Sequence, residues 1–234
     1  MIKIKVENLT KTFTVHTRGG IEIKAYDNIN FELQKGEFLA LRGPSGMGKS
    51  SILKALYRTY TTSGGKILFY KNDGSLIDIA LANESEILDL RNSQISYVSQ
   101  FLQVLPRISA VDIVAKPLIE KGESEMQAKD KAKEMLSYLS IKEELFSVSP
   151  LTFSGGEQQR VNIAKGIIAP KDVLLLDEPT ASLDEANTNK VIDKLLEIKK
   201  KDVSMIGIFH DLNAMRRISD KIFDVKEKEY ANYN

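Results

Sequence analysis

Gly43-Pro44-Ser45-Gly46-Met47-Gly48-Lys49-Ser50 places a lysine and a hydroxyl directly after a glycine-rich turn. In that arrangement backbone N–H groups cradle phosphates, the lysine reaches the terminal phosphates and the hydroxyl ligates Mg²⁺. Glycine at the tight turns lets the backbone approach an anion closely. Upstream, Glu37-Phe38-Leu39-Ala40-Leu41 reads as a short apolar strand, and Ser50-Ser51-Ile52-Leu53-Lys54-Ala55-Leu56-Tyr57 repeats at helical spacing. Strand, turn and helix therefore follow in the order that brings phosphates to a helix N-terminus and its partial positive charge. Gly43, Pro44, Ser45, Gly46, Met47, Gly48, Lys49, Ser50 and Ser51 are the candidate nucleotide-binding positions.

Working outward, 234 residues with 42% hydrophobic and 28% charged content suffice for one full core, or a core with a lobe. A formal charge of +1 supplies no global field for nucleic acid or an anionic membrane, so direct nucleic-acid binding is not expected. No apolar run approaches the roughly 20 residues that cross a bilayer, and Met1-Ile2-Lys3-Ile4-Lys5-Val6 alternates like a strand, which predicts a cytoplasmic chain. Cysteine is absent and the histidines are His16 and His210, so thiolate and histidine-rich metal sites are excluded. Any metal would arrive with the nucleotide.

The pattern predicts a mixed α/β fold. Residues 2–8, 21–25 and 29–33 alternate like half-buried antiparallel strands, whereas Val173-Leu174-Leu175-Leu176 and Met205-Ile206-Gly207-Ile208-Phe209 are continuous runs suited to a covered parallel sheet. Ile67-Leu68-Phe69-Tyr70 and Leu76-Ile77-Asp78-Ile79 flank the turn residues 71–75 as a hairpin, and Asn83 with Glu86 opens a short helix. A mainly helical stretch at about 104–168 lies between sheet segments, with no linker at which to cut. It reads as a lobe inserted into a core of residues 1–103 and 169–225, followed by a polar tail, 226–234, expected to fray.

Chemistry concentrates at the ends of the presumed parallel strands. Asp177 and Glu178 follow the 173–176 run and Pro179 stops it. Adjacent strand residues point to opposite sides, so the two carboxylates take different jobs: Asp177 suits a Mg²⁺ shell, and Glu178 suits the base that orients an attacking water. His210 follows Phe209, and Gln100 follows Ile95-Ser96-Tyr97-Val98-Ser99, both at carboxyl ends of strands where ligands bind in open α/β sheets. Further on, Thr152-Phe153-Ser154-Gly155-Gly156-Glu157-Gln158-Gln159-Arg160 carries an S-x-x-E capping box. Capping leaves the glycine pair unexplained, since each costs up to about 1 kcal/mol relative to Ala, and a second anion site accounts for it.

In spacing and order these pieces resemble the nucleotide-binding subunits of ATP-binding cassette proteins over nearly the whole chain. The resemblance implies a P-loop NTPase, RecA-like core with an antiparallel β subdomain and an inserted helical lobe, and Mg²⁺-dependent ATP hydrolysis. It matches Gly43–Ser50 to the Walker A motif, Gln100 to the Q-loop, Phe153–Glu157 to the signature, 173–178 to the Walker B, Ser182-Leu183-Asp184 to the D-loop and His210 to the switch histidine. Lys49, Gln100, Glu178 and His210 are thereby the catalytic candidates, and Ser50, Gln100 and Asp177 the metal candidates. Phe13 matches the aromatic that stacks on adenine, with a plain core phenylalanine as the rival reading. The family's subunits pair head to tail, with themselves or with a related subunit, so Ser154, Gly155, Gly156, Glu157 and Asp184 would serve the nucleotide of the opposite protomer. The chain departs from the family pattern at Phe153, Glu157 and Met47.

Within the family, several short segments, among them Val98-Ser99-Gln100-Phe101-Leu102 and Gly207-Ile208-Phe209-His210-Asp211, look most like PhnL-type subunits of the bacterial carbon–phosphorus lyase system. That likeness implies soluble lyase subunits as partners. The alternative is a membrane permease of a lipoprotein-release, macrolide-export or phosphonate transporter, which would place the chain at the inner membrane. Phe101, Leu102 and Leu105 would then receive a permease helix, while burial of Phe101, Leu102, Val104 and Leu105 in the lobe is the competing reading.

Overall fold

The computed structural model describes residues 1–15, 20–103 and 106–231. Its centre is a six-stranded sheet in the order β10-β9-β3-β8-β7-β6, built from β3 (Phe38–Arg42), β6 (Ile95–Val98), β7 (Val173–Asp177), β8 (Ser204–Ile208), β9 (Lys221–Asp224) and β10 (Glu229–Ala231). Strands β9, β3, β8, β7 and β6 run parallel, which brings their carboxyl ends to one edge. The continuous apolar runs are explained by cover on both faces: every residue of β7 and β8 is buried.

The side-chain period of two divides the sheet between two cores. Phe38, Ala40, Leu174, Leu176 and Met205 face a core shared with α3 (Ala110–Glu120), α4 (Glu125–Tyr138), α5 (Gly155–Ile167) and α6 (Glu185–Lys199). Leu39, Leu41, Val173, Leu175, Ile206 and Ile208 face the other core, shared with α1 (Lys49–Leu56) and a four-stranded antiparallel sheet. Full burial of each of the larger side chains among them contributes about 1.5–3 kcal/mol relative to exposure.

The antiparallel sheet runs β2-β1-β4-β5, from β1 (Ile2–Val15), β2 (Ile21–Gln34), β4 (Gly64–Tyr70) and β5 (Leu76–Asp78). Three short strands were expected at its start, and two 14-residue strands form instead. Bulges let the ribbon continue: the β1–β2 register shifts between Val6 and Leu9, and Asn8 and Asn28 both adopt φ 50. Asparagine tolerates that left-handed backbone better than other bulky residues do. Helix α2 (Glu84–Ser93) opens with the capping box between Asn83 and Glu86.

The tail after Val225 was expected to fray, and the described part of it, to residue 231, is instead anchored. Residues 229–231 pair antiparallel with β9, and the Tyr230 hydroxyl accepts from Glu32 N (2.8 Å) while its ring meets Phe223 edge-on. This anchor is tertiary, so the polar composition of the segment did not reveal it. No helix among the described residues is long and apolar enough to cross a membrane.

Candidate active site

Helix α1 (Lys49–Leu56) begins at Lys49, with Gly48 as its N-cap at φ 79 and with no side chain capping it, so its first N–H groups point into the Gly43–Ser50 turn. A Cβ on Gly48 would stand 2.4 Å from Ala25 O, so only glycine lets the loop close onto β2. Gly46 has φ 82 and open space where a Cβ would lie. Pro44 and Ser45 are exposed, Ser51 lies in the first turn of α1, and Met47 packs partly against the core beneath. Within the turn, Lys49 Nζ donates to Gly43 O (2.6 Å) and Pro44 O (2.9 Å). Burial pulls the Lys49 ammonium below its ordinary pKa, and the charges of Glu178, Asp177 and Asp224 oppose that shift.

Parallel pairing brings the remaining groups to the same edge. Asp177, the last residue of β7, is buried; its Oδ1 accepts from Ser50 Oγ (2.7 Å) and its Oδ2 from the Tyr97 hydroxyl (2.8 Å). Glu178 turns away into left-handed backbone, φ 52. Its Oε2 accepts from Gln100 Nε2 (2.9 Å) and its Oε1 lies 2.8 Å from His210 Nε2. The two carboxylates thus face different partners, one a hydroxyl pair and the other an amide and an imidazole. Asp177 with the Ser50 hydroxyl, on the same sheet edge as Gln100, supplies hard oxygen donors of the kind that suit a Mg²⁺ ion. Among the described residues there is no group of three or more His, Cys, Asp or Glu that could hold a metal unaided.

Ser154 caps α5, accepting from Glu157 N, while Glu157 Oε2 accepts from Ser154 N (2.9 Å) and Ser154 Oγ (2.7 Å). These bonds hold the Glu157 carboxyl below its ordinary pKa. The glycine pair divides: a Cβ on Gly156 would meet Ser182 O of the same chain at 3.0 Å, whereas Gly155 is exposed with open space around it. Close approach at Gly156 is therefore to Ser182 of the same chain, whereas the backbone at Gly155 is left open. Asp184 caps α6, accepting from Asn187 N (2.8 Å), and this bond lowers its pKa. Among the described residues no hydrogen bond or ion pair joins Ser154–Glu157 or Asp184 to the Gly43–Ser51 turn.

Phe13 belongs to neither core; its ring meets Tyr60 edge-on at 5.3 Å and carries Lys11 Nζ 4.8 Å from its centroid. Phe153, in place of the usual leucine, is buried in the lobe-side core. Phe101 is 72% exposed, Leu102 packs partly on the lobe, and Val104 and Leu105 lie outside the described residues.

Three residues of the site went unassigned in the sequence. Asn162 Nδ2 donates to Ser99 O (2.6 Å) and Gln159 Nε2 to Pro179 O (3.1 Å), so α5 is tied to the chain beside Gln100 and beside Glu178. Both are buried, and polar residues on the apolar face of a helix are the signal, since such groups need partners. Tyr97 is the third: a tyrosine within a covered strand must find a bond for its hydroxyl.

The profile of the ABC transporter family matches residues 26–181. The lipoprotein-releasing system ATP-binding protein LolD of Aquifex aeolicus is 32% identical over 96% of this chain and 94% of its own. The macrolide export ATP-binding/permease protein MacB of Campylobacter fetus is 33% identical over 96% of this chain and 33% of its own length. Among solved structures, the dimeric post-hydrolysis state of the cassette MJ0796, from Methanocaldococcus jannaschii, bound to ADP and Pi superposes with a TM-score of 0.85 at 29% identity, covering 98% and 97% of the two chains. These relatives support the family resemblance and give no support to the narrower likeness to PhnL-type subunits. The chain belongs to the ABC transporter family, and it is an ATPase whose ligands are ATP and Mg²⁺.

Proposed function

We propose that this chain is the ATP-hydrolysing subunit of a membrane transporter of the lipoprotein-release or macrolide-export kind, working as a head-to-tail dimer at the membrane surface. Lys49 and the N-terminus of α1 bind the terminal phosphates, and Ser50, Asp177 and Gln100 hold the ion. Bound there, the ion would supply neutralisation of the negative charge that develops during phosphoryl transfer. Glu178 accepts a proton from the attacking water and orients it, and His210 steadies Glu178 Oε1 and the terminal phosphate. Phe13 offers a face to adenine. Ser154, Gly155, Gly156, Glu157 and Asp184 act on the nucleotide of the opposite protomer, a reading supported by the exposed, open backbone at Gly155 on the tip of α5.

The observation that carries the transporter reading is a cleft of about 840 Å³ beside Gln100, lined by Tyr57, Leu88, Arg91, Phe101 and Pro117. Leu88 and Phe101 are 55% and 72% exposed there among charged neighbours such as Lys54, Glu120 and Lys165, so an amphipathic helix from a permease has apolar side chains to cover and charges to meet. Purification of the tagged chain from native membranes tests this. Co-elution with an integral membrane permease after detergent extraction is the expected result; co-elution from the soluble fraction with carbon–phosphorus lyase subunits would replace the permease with that partner.

A further inference from the structure

Asp177 is 1% exposed, so its carboxylate must be satisfied from within the protein. Ser50 Oγ serves Oδ1 at 2.7 Å and the Tyr97 hydroxyl serves Oδ2 at 2.8 Å. Two donors on opposite oxygens fix the rotation of the group. The ring that carries the second donor is itself held: Tyr97 stacks on Tyr57 with centroids 5.2 Å apart and planes at 25°. The Arg91 guanidinium lies 4.5 Å from the Tyr57 ring centroid on the cleft wall, and Arg91 Nε donates to Tyr57 O (3.0 Å).

We infer that Tyr97 is a positioning residue of the magnesium site: its hydroxyl fixes Asp177 so that Oδ1 stays turned toward Ser50 and the ion, and the Tyr57–Arg91 stack holds that hydroxyl in place. Two effects of the hydroxyl compete. Donation to Oδ2 makes the carboxylate a weaker base, which taken alone would weaken its hold on a cation. Orientation acts the other way. Loss of outer-shell partners in metal sites generally costs about tenfold to a hundredfold in metal affinity, so orientation outweighs basicity.

The inference rests on Asp177 being a ligand of the magnesium site, and the test separates the two claims. Mn²⁺ is the probe, its binding read by electron paramagnetic resonance with ADP present so that no hydrolysis contributes. Tyr97→Phe keeps the stacked ring and removes only the hydroxyl. The expected result is a loss of about tenfold in Mn²⁺ affinity, metal-free ADP affinity unchanged, and a comparable rise in the Mg²⁺ needed for half-maximal ATPase rate. Tyr57→Leu, which leaves the hydroxyl and removes its support, shifts Mn²⁺ affinity in the same direction by a smaller factor. Unchanged or tighter Mn²⁺ binding by Tyr97→Phe, with a wild-type melting curve, overturns the inference. Should Asp177→Asn leave Mn²⁺ affinity unchanged, the ligand assignment itself fails; should Asp177→Asn lose the ion while Tyr97→Phe keeps it, only the role of Tyr97 fails.

Discussion

Glu178 holds φ 52, a backbone that costs a non-glycine residue about 1–2 kcal/mol, and it does so between Gln100 and His210. In this left-handed turn its carboxylate meets both at once, Gln100 on Oε2 and His210 on Oε1. Lys49 is constrained differently, its ammonium bonded to two carbonyls of the turn it serves. Charge-assisted hydrogen bonds contribute about 1.5–3 kcal/mol, so Lys49→Ala is expected to weaken ATP binding by roughly tenfold to a hundredfold, measurable by calorimetry. Wild-type affinity in that variant would remove Lys49 from the phosphate site. Lys49, Ser50, Gln100, Asp177, Glu178 and His210 were legible because each follows a glycine turn or ends an apolar run. Tyr97 was not, because its partner Asp177 comes from β7, 80 positions away, through a parallel register that local patterns do not encode.

At the scale of elements, helix ends carry much of the specificity. Helices α5 and α6 are capped by Ser154 and Asp184, the same side chains that we propose act on the opposite nucleotide. Glu157 has a lowered pKa in the folded chain because Ser154 donates to it. Its stabilising contribution is therefore fully present above the ordinary carboxylate value of 4.5 and is lost as pH falls through the lowered folded value. Glu157→Gln is expected to melt lower than wild type at pH 7 and to lose less on acidification to pH 3, followed by thermal unfolding across that range. Parallel pH profiles would show that the bond contributes nothing. The capping box and hairpin could be read in the sequence since both are local. Strand β10 and the full length of the β1–β2 ribbon could not: the first depends on Tyr230 reaching β2, the second on bulges at Asn8 and Asn28.

On the scale of the whole molecule, one sheet serves two cores, and the carboxyl edge of that sheet gathers Ser50, Gln100, Asp177, Glu178 and His210. Buried Asn162 and Gln159 tie α5 to the backbone of Ser99 and Pro179, so the helix whose tip we propose meets the opposite protomer is bonded to the residues next to Gln100 and Glu178 of its own chain. Nucleotide held in one protomer and sealed by the other is the central claim. Mass measurement by light scattering on Glu178→Gln with Mg·ATP tests it most directly. A stable species at twice the 26.2 kDa chain mass, returning to one chain mass when ATP is withheld, is the predicted result; a single-chain mass with ATP bound would contradict the account.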